Sequence, residues 1–157
     1  MTIALSFFYE NNFLLLGDSF NLGIPIHFIM ENLHIHAEKK KPGIAFEKYS
    51  GSLKITGNSS IENPDKFYEE VVNWLDEYTI QPAKETVFSM QMEYFNSSSA
   101  KHLMRLFRVL ERAHADNKTK VLIKWYHNEH DGSMLEAGED YASMLKVPFT
   151  FIEEADI

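Results

Sequence analysis

The stretch that decides the fold is Thr86-Val87-Phe88-Ser89-Met90-Gln91-Met92-Glu93-Tyr94-Phe95-Asn96-Ser97-Ser98-Ser99-Ala100-Lys101. Its first ten residues are rich in β-formers and alternate in polarity, which places Phe88, Met90, Met92 and Tyr94 on one face of a strand. Three consecutive hydroxyls follow, and a helical pattern begins there. The stretch therefore predicts a central strand that leads directly into a helix.

The serines at this junction have two physical interpretations. Serine is a preferred residue at helix starts because its hydroxyl can accept a hydrogen bond from an unpaired backbone N–H group. The same N–H groups carry partial positive charge and would stabilise a phosphate on the hydroxyl. On this pattern alone capping is the favoured interpretation, and phosphorylation is the alternative.

The helix after the serines is amphipathic. Its apolar stripe consists of Leu103, Leu106, Phe107, Leu110, Ala113 and His114. Its opposite face carries Lys101, Arg105, Arg108 and Arg112. This spacing predicts a helix with one buried face and one cationic, exposed face.

Regular elements flank the junction on both sides. Residues 44–57 predict a β-hairpin that turns at Ser50-Gly51. Asn63 is predicted to cap a helix with Pro64 at its first position, and this helix ends before Pro82. Later in the chain we predict a strand over 120–126, a helix opened by the capping box Ser133-x-x-Glu136, and a closing strand over 148–152. The alternation indicates an α/β domain with four to five mostly parallel strands, an N-terminal hairpin and at least three helices.

Composition narrows the class of protein. The chain has 157 residues, of which 45% are hydrophobic, as expected for one globular domain. It contains no cysteine, which excludes disulfides, thiolate metal sites and cysteine nucleophiles and suits a reducing cytoplasm. A formal charge of −8 argues against nucleic-acid and anionic-membrane partners. We expect partners that are proteins or small molecules.

The first 29 residues differ from the rest. They contain five phenylalanines, no Lys or Arg, and neither a signal peptide pattern nor a membrane-length apolar run. We interpret residues 1–29 as an N-terminal extension, either an appended arm or an upstream extension of the reading frame, and residues 30–157 as the domain. No targeting segment is predicted, and the expected location is the cytoplasm.

Two polar clusters contain residue types found in catalytic or metal sites. The loop His127-Asn128-Glu129-His130-Asp131 and the segment His34-x-His36 match no metal-site spacing, so no metal site is predicted. A set of acids could supply paired carboxylates for acid–base chemistry: Glu129, Asp131, Glu136, Glu139 and Asp140. No phosphate loop, nucleophile elbow or zinc-binding helix accompanies them. An acidic surface is the favoured interpretation, and no enzymatic activity and no cofactor are predicted.

Other conspicuous residues fit a packing role. Trp74, Trp125, Met90 and Met92 fall at core spacing, and we assign them to the interior. Gly138 stands inside the third helix, where glycine costs about 1 kcal/mol relative to alanine. A close packing contact, internal or with a partner, would explain it.

Several blocks together resemble the SiaC family of bacterial regulatory phosphoproteins, small domains similar to the STAS or SpoIIAA-like fold. The resemblance spans roughly residues 30–153. It rests on Gly57-Asn58-Ser59-Ser60-Ile61-Glu62-Asn63-Pro64, Phe67-Tyr68, Trp74-Leu75, Glu93 to Lys101, Trp125-Tyr126, Met134 to Tyr141 and Pro148-Phe149. Residues 1–29 have no counterpart in it.

The resemblance implies a non-catalytic protein in a partner-switching pathway. A SiaB-like Ser/Thr kinase would phosphorylate it and a SiaA-like PP2C-type phosphatase would reverse the modification. The unphosphorylated form would bind and activate a SiaD-like diguanylate cyclase, which raises cyclic-di-GMP and favours biofilm formation or aggregation.

The family's phosphoacceptor follows the Asn of the strand-to-helix motif, which corresponds here to Ser97, with Ser98 and Ser99 as alternative acceptors or caps. Family members also carry Thr at that position, so Ser97 is a mild departure that keeps the hydroxyl group. A second departure is Ile61, where the family pattern leads us to expect Pro. The expected partner-binding residues are Asn96, Ser97, Ser98, Lys101, Arg105 and Arg108.

Two other functions stay open at this point. An antagonist of an anti-sigma-type kinase would share the fold and the phosphoserine chemistry but have a different target. A small ligand-binding or enzymatic α/β domain would use residues 127–140, and a pocket with convergent carboxylates there would favour it.

Overall fold

A computed structural model describes residues 30–155 of the chain. The predicted N-terminal extension, residues 1–29, lies outside the described residues. Contacts divide the chain into residues 1–31 and 32–157, and the architecture below is that of the second unit. Its elements are β1 (Leu33–Ile35), β2 (Gly43–Glu47), β3 (Ser52–Ser59), α1 (Asp65–Tyr78), β4 (Glu85–Phe95), α2 (Ser97–Ala115), β5 (Lys120–Asn128), α3 (Gly132–Met144) and β6 (Phe149–Glu154).

The strands form one mixed sheet in the order β1-β2-β3-β4-β5-β6. β1, β2 and β3 pair antiparallel, whereas β3, β4, β5 and β6 pair parallel. The predicted α/β class, the hairpin and the three helices are confirmed. The predicted count of four to five strands is wrong, because β1 is a sixth strand. His34 lies in this strand and pairs with Ala45 of β2.

The helices pack on one face of the sheet. Ile55, Met90 and Trp125 are register neighbours and are fully buried. At the adjacent register position, Lys54, Ser89 and Lys124 on the other face are only partly buried. Parallel strands in sequential order with right-handed crossovers produce this arrangement, because each helix returns over the same face. The starts of α1, α2 and α3 consequently lie at the end of the sheet where the parallel strands finish.

A β-bulge resets the side-chain alternation just before α2. Gly57 pairs with Met92 but Asn58 pairs with Tyr94, so Glu93 is an extra residue in β4. The prediction that Tyr94 shares a face with Phe88, Met90 and Met92 is wrong, because those three are buried and Tyr94 is 51% exposed. Phe95 packs inward instead, with its ring 6.3 Å from the ring of Trp125. One inserted residue exchanges the two faces of a strand, and the polarity pattern does not reveal it.

Two predicted helix caps are also corrected. Helix α1 begins at Asp65, and Pro64 occupies the cap position with no side-chain hydrogen bond, so Asn63 is not the cap. Helix α3 is capped by Asp131, whose carboxylate accepts hydrogen bonds from the Met134 N–H group at 3.0 Å and from the Ser133 hydroxyl at 2.7 Å. The Ser133–Glu136 pair is therefore not a capping box, because Ser133 already lies inside the first turn.

Gly138 packs against Trp125 in the core. A Cβ atom on Gly138 would lie 2.6 Å from Nε1 of Trp125, and this Nε1 donates a hydrogen bond to the Met134 carbonyl at 2.9 Å. The contact predicted for Gly138 is therefore internal. Trp125, Met90 and Met92 are buried as predicted, and Trp74 is half-buried and stacks on Tyr78.

Candidate functional site

Asn96 fixes the junction between β4 and α2. Its side-chain oxygen accepts a hydrogen bond from the Ser99 N–H group at 2.8 Å, which caps the helix. Its side-chain nitrogen donates to the Ile61 carbonyl at 3.1 Å, and its backbone N–H donates to the Ser59 carbonyl at 3.0 Å. One asparagine therefore joins the helix start to the β3–α1 connection.

Ser99 belongs to the interior. Its hydroxyl lies 2.8 Å from the Ser59 hydroxyl and also donates to the Ser59 carbonyl at 3.2 Å. The Ser59 hydroxyl in turn lies 2.8 Å from the Tyr68 hydroxyl. All three residues are fully buried. Burial raises the pKa of the Tyr68 hydroxyl, which keeps it a neutral hydrogen-bonding group. Since Ser99 is inaccessible in this conformation, the structure argues against it as an alternative acceptor, and the cap is Asn96 and not a serine.

Ser97 and Ser98 are exposed on the first turn of α2. They stand where unpaired helix N–H groups and the positive end of the helix dipole favour an anion. Lys101 lies one turn later and is also exposed, and residues four apart are neighbours on a helix surface. A phosphate on Ser97 would therefore be near both the helix amides and an ammonium group.

A second set of contacts fixes the first two turns of α2, and sequence reasoning missed it. Tyr141 donates a hydrogen bond from its hydroxyl to the Ala100 carbonyl at 2.9 Å. His102 stacks on Tyr68 with ring centroids 5.1 Å apart, and its Nε2 lies 3.0 Å from the Asp65 carboxylate. The partners come from α1 and α3, so no local pattern indicated these contacts.

The cationic side of α2 is exposed as predicted. Lys101, Arg105 and Arg108 lie on the outer face of the helix. Arg108 forms an ion pair with Glu111 at 2.7 Å. None of the ion pairs within residues 30–155 involves Lys101 or Arg105. Lys101 therefore lies one turn from the exposed serines, and Arg105 lies about two turns from them.

The loop at residues 127–131 borders a cleft of about 500 Å³ at the carboxyl ends of the parallel strands. Of the five acids singled out in the sequence, only Asp131 lines this cleft, and its carboxylate caps α3. Hydrogen bonds from Ser133 and from the Met134 N–H group lower the pKa of Asp131. Glu154 also lines the cleft, where it accepts hydrogen bonds from Gln91 at 2.8 and 3.0 Å. Asp131 and Glu154 thus accept structural hydrogen bonds, whereas Glu93 and His127 also line the cleft.

The described residues offer neither a metal-binding cluster nor a membrane-spanning helix. Within residues 30–155, no group of three or more His, Cys, Asp or Glu side chains is arranged to hold a metal ion. None of the helices in this part of the chain has the length and hydropathy that a bilayer-spanning segment requires. His34 contacts Glu47 at 2.6 Å, so one histidine of the His34-x-His36 pair already has a side-chain partner.

The fold and site together define a small α/β domain with two accessible hydroxyls at the capped start of a helix. The chain belongs to the SiaC family of regulatory phosphoproteins, whose sequence pattern matches residues 35–154.

Proteins of Pseudomonas aeruginosa are similar to this chain in sequence and in fold. An uncharacterized protein of strain UCBPP-PA14 is 25% identical over 120 residues, which are 76% of this chain and 94% of that protein. SiaC of Pseudomonas aeruginosa superposes with a TM-score of 0.73 and 24% identity, over 80% of this chain and 100% of that one. A second structure, diguanylate cyclase SiaD in complex with its activator SiaC, gives a TM-score of 0.73 and 24% identity over 78% of this chain and 99% of the matched chain. At this identity the superpositions establish the shared fold.

Proposed function

We propose that this chain is a non-catalytic regulator in a bacterial partner-switching pathway and that Ser97 is its phosphoacceptor. A Ser/Thr kinase would add the phosphate and a PP2C-type phosphatase would remove it. The unphosphorylated form would bind a diguanylate cyclase in the cytoplasm and raise its output of cyclic-di-GMP. We also assign the fold to the STAS-like group, on the basis of helices packed on one face of a largely parallel sheet.

The observation that carries this proposal is the different environment of the three serines. Ser97 and Ser98 are exposed at a helix start fixed by Asn96, whereas Ser99 is buried against Ser59. The resemblance to the family motif, in which the acceptor follows the Asn, favours Ser97 over Ser98. A kinase can reach the first hydroxyl without unfolding the domain. The description of a relative as the activator of a diguanylate cyclase supports that class of partner.

The phosphate would act on docking more than on folding. It would add about −1.5 to −2 charges at the start of α2, where the helix amides and Lys101 favour negative charge. The isolated domain should therefore keep its structure. A partner that buries this helix start would have to desolvate a dianion, which is unfavourable without a new cation.

The decisive experiment uses the kinase and cyclase of the same organism. Purified wild-type chain, Ser97→Ala and Ser98→Ala are incubated with kinase and ATP, and the modified residue is located by peptide mass spectrometry. We expect the wild type and Ser98→Ala to be phosphorylated and Ser97→Ala to remain unmodified. Full phosphorylation of Ser97→Ala would overturn the assignment.

A second measurement tests the regulatory direction. Cyclic-di-GMP synthesis by the cyclase is measured while each form is titrated in. Wild type and Ser97→Ala should activate the cyclase, whereas Ser97→Asp and the phosphorylated wild type should activate it weakly or not at all. Equal activation by all forms would reject the switch. If none of the forms bound the cyclase, the cyclase would be rejected as partner.

A further inference from the structure

The cleft of about 500 Å³ at the carboxyl ends of the parallel strands lies where the sheet divides. β4 and β5 pair only as far as Met90 and Trp125. Beyond that point β4 continues along β3 to Phe95, and β5 continues along β6 to Asn128. The last residues of β4 and β5 therefore border the cleft without pairing to each other. A space of this size is typical of small-molecule sites.

We propose that this cleft binds a small organic cation, an amine or guanidine whose charged group contacts the carboxylates of the cleft and whose hydrocarbon part contacts its apolar side chains. The site is separate from the serines and from the cationic face of α2. The proposal does not rest on the proposed function, because it concerns a different surface and a different ligand.

The acidic side chains of the cleft favour a cation. Glu93, Asp131 and Glu154 come from β4, the start of α3 and β6, and none of the described residues that line the cleft is Lys or Arg. Hydrogen bonds from the Ser133 hydroxyl and the Met134 N–H group lower the pKa of Asp131, so this carboxyl group is ionised at neutral pH. Three carboxylates around one cleft attract cations and repel phosphates and carboxylates.

Glu93 is available to a ligand. It is the extra residue of the bulge in β4, it is exposed, and none of the ion pairs within residues 30–155 includes it. Asp131 also keeps acceptor capacity, because the bonds from Ser133 and Met134 both reach its Oδ1 atom. Two carboxylates from different elements can thus receive N–H groups of a bound cation.

His127 adds a buried hydrogen-bond acceptor. Its side chain lines the cleft and is only 9% exposed. Its Nδ1 lies 3.2 Å from the Asn128 carbonyl oxygen, and since a carbonyl only accepts, Nδ1 carries the proton in this contact. The Nε2 atom of the neutral ring is then an acceptor, and no donor from residues 30–155 bonds to it. An ammonium or guanidinium N–H group would satisfy this buried atom.

Apolar side chains in the cleft favour an organic cation over a metal ion. Met92 and Met134 are buried in its wall, and the half-buried ring of Tyr126 lies beside them. Methionine adapts to apolar ligands, and an aromatic face attracts cations. The acids of the described chain are not grouped closely enough to hold a metal ion. Charge spread over a larger molecule fits this spacing better.

Matched four-carbon probes test the charge preference. Binding of 1,4-diaminobutane and of succinate to the full chain is measured by calorimetry at constant ionic strength. We expect saturable binding of the diamine at a single site and no binding of succinate, and the NMR signals of the His127 ring should shift with the diamine. Succinate binding as tightly as the diamine would overturn the proposal. So would a lack of saturable binding by both diaminobutane and agmatine, a guanidine of similar length.

Glu93→Gln locates the bound cation. This variant should weaken diaminobutane binding by about fivefold or more, because it removes the charge of an available carboxylate. Glu129→Gln is the matched control: it is exposed, carries the same change in net charge and does not line the cleft, so it should bind as the wild type does. Equal binding by the two variants would show a general charge effect and overturn the site.

Thermal unfolding provides a second measurement. Saturating diaminobutane should raise the midpoint of the wild type and of Glu129→Gln, and should raise that of Glu93→Gln less. The tripeptide Gly-Lys-Gly, which presents the same ammonium group on a peptide, tests a protein side chain as the source. We expect it to bind more weakly than the free diamine, since five elements surround the cleft: β3, β4, β5, α3 and β6. Tighter binding of the tripeptide would overturn the assignment to a free molecule.

Discussion

Ser59 and Ser99 lie forty residues apart in sequence, yet their hydroxyl oxygens are 2.8 Å apart inside the domain. The Tyr68 hydroxyl completes the network at 2.8 Å from Ser59. The end of β3, the first turn of α1 and the first turn of α2 are thereby joined through buried polar groups. Hydrogen bonds of this kind cost stability when one partner is removed, because the remaining group stays desolvated.

Ser99→Ala should destabilise the domain by about 1–2 kcal/mol, since Ser59 loses one buried partner. Chemical denaturation gives the free energy of unfolding. Ser98→Ala, which changes the adjacent exposed hydroxyl, should stay within about 0.5 kcal/mol of the wild type. In the double variant with Ser59→Ala, the loss should be smaller than the sum of the single losses. Additive losses would show that the two hydroxyls are not coupled.

Asn96→Ala should cost about 1–2 kcal/mol in the free energy of unfolding, because it removes the cap of α2 and the hydrogen bond to Ile61. Asn96→Asp retains the capping oxygen and loses only the donor, so its loss should be smaller. Hydrogen exchange of the Ser99 amide should accelerate in Asn96→Ala and much less in Asn96→Asp. Equal stability of all three proteins would contradict the assigned cap.

Gly138→Ala should destabilise the domain although alanine is the better helix former. The new methyl group would overlap the buried ring of Trp125, and overpacking costs about 1–3 kcal/mol against a propensity gain of about 1 kcal/mol. Gly132→Ala in the same helix is the control, since no atom lies within 4 Å of the added carbon. It should be neutral or stabilising. A stabilised Gly138→Ala would contradict the packing contact.

Asp131 should contribute a pH-dependent part of the stability. Hydrogen bonds from Ser133 and from the Met134 N–H group lower the pKa of its carboxyl group in the folded state. Its contribution is therefore fully present above the ordinary pKa of the group and disappears as the pH falls through the lowered pKa. The stability difference between the wild type and Asp131→Asn should shrink with acidification over that range. Glu129→Gln, an exposed neighbour with the same change in net charge, should show no comparable trend.

The sequence was sufficient for those elements whose pattern is local. Alternation in β4, the stripe of α2 and the glycine turn at Gly51 all predicted structure that the chain adopts. Gly51 has a φ of +69°, a conformation that suits glycine, and its N–H group bonds the Glu47 carbonyl at 3.0 Å. β1 escaped prediction because its three residues are too few to show a period. The bulge at Glu93 was not predicted, because it is defined by the pairing of β4 with β3 and the sequence of β4 alone does not show that pairing.

The site was predictable only in part for the same reason. The three serines were identifiable from their position between a strand and a helix. Their separation into two exposed hydroxyls and one buried hydroxyl depends on Ser59 and Tyr68, which precede Ser99 by 40 and 31 positions. The contact between Tyr141 and Ala100 likewise joins residues that are 41 positions apart. Long-range contacts of this kind assign roles that local patterns leave open.

The bond between Asn96 and the Ile61 carbonyl has a consequence for substrate recognition. It anchors the first turn of α2 to a second segment of chain, so Ser97 is presented on a folded surface and not on an extended strand. We expect a kinase that modifies Ser97 to recognise this folded surface, and a synthetic peptide spanning the serines to be a poor substrate. Consensus-motif searches and peptide arrays would then overlook this hydroxyl, whereas denaturing the domain would abolish its phosphorylation.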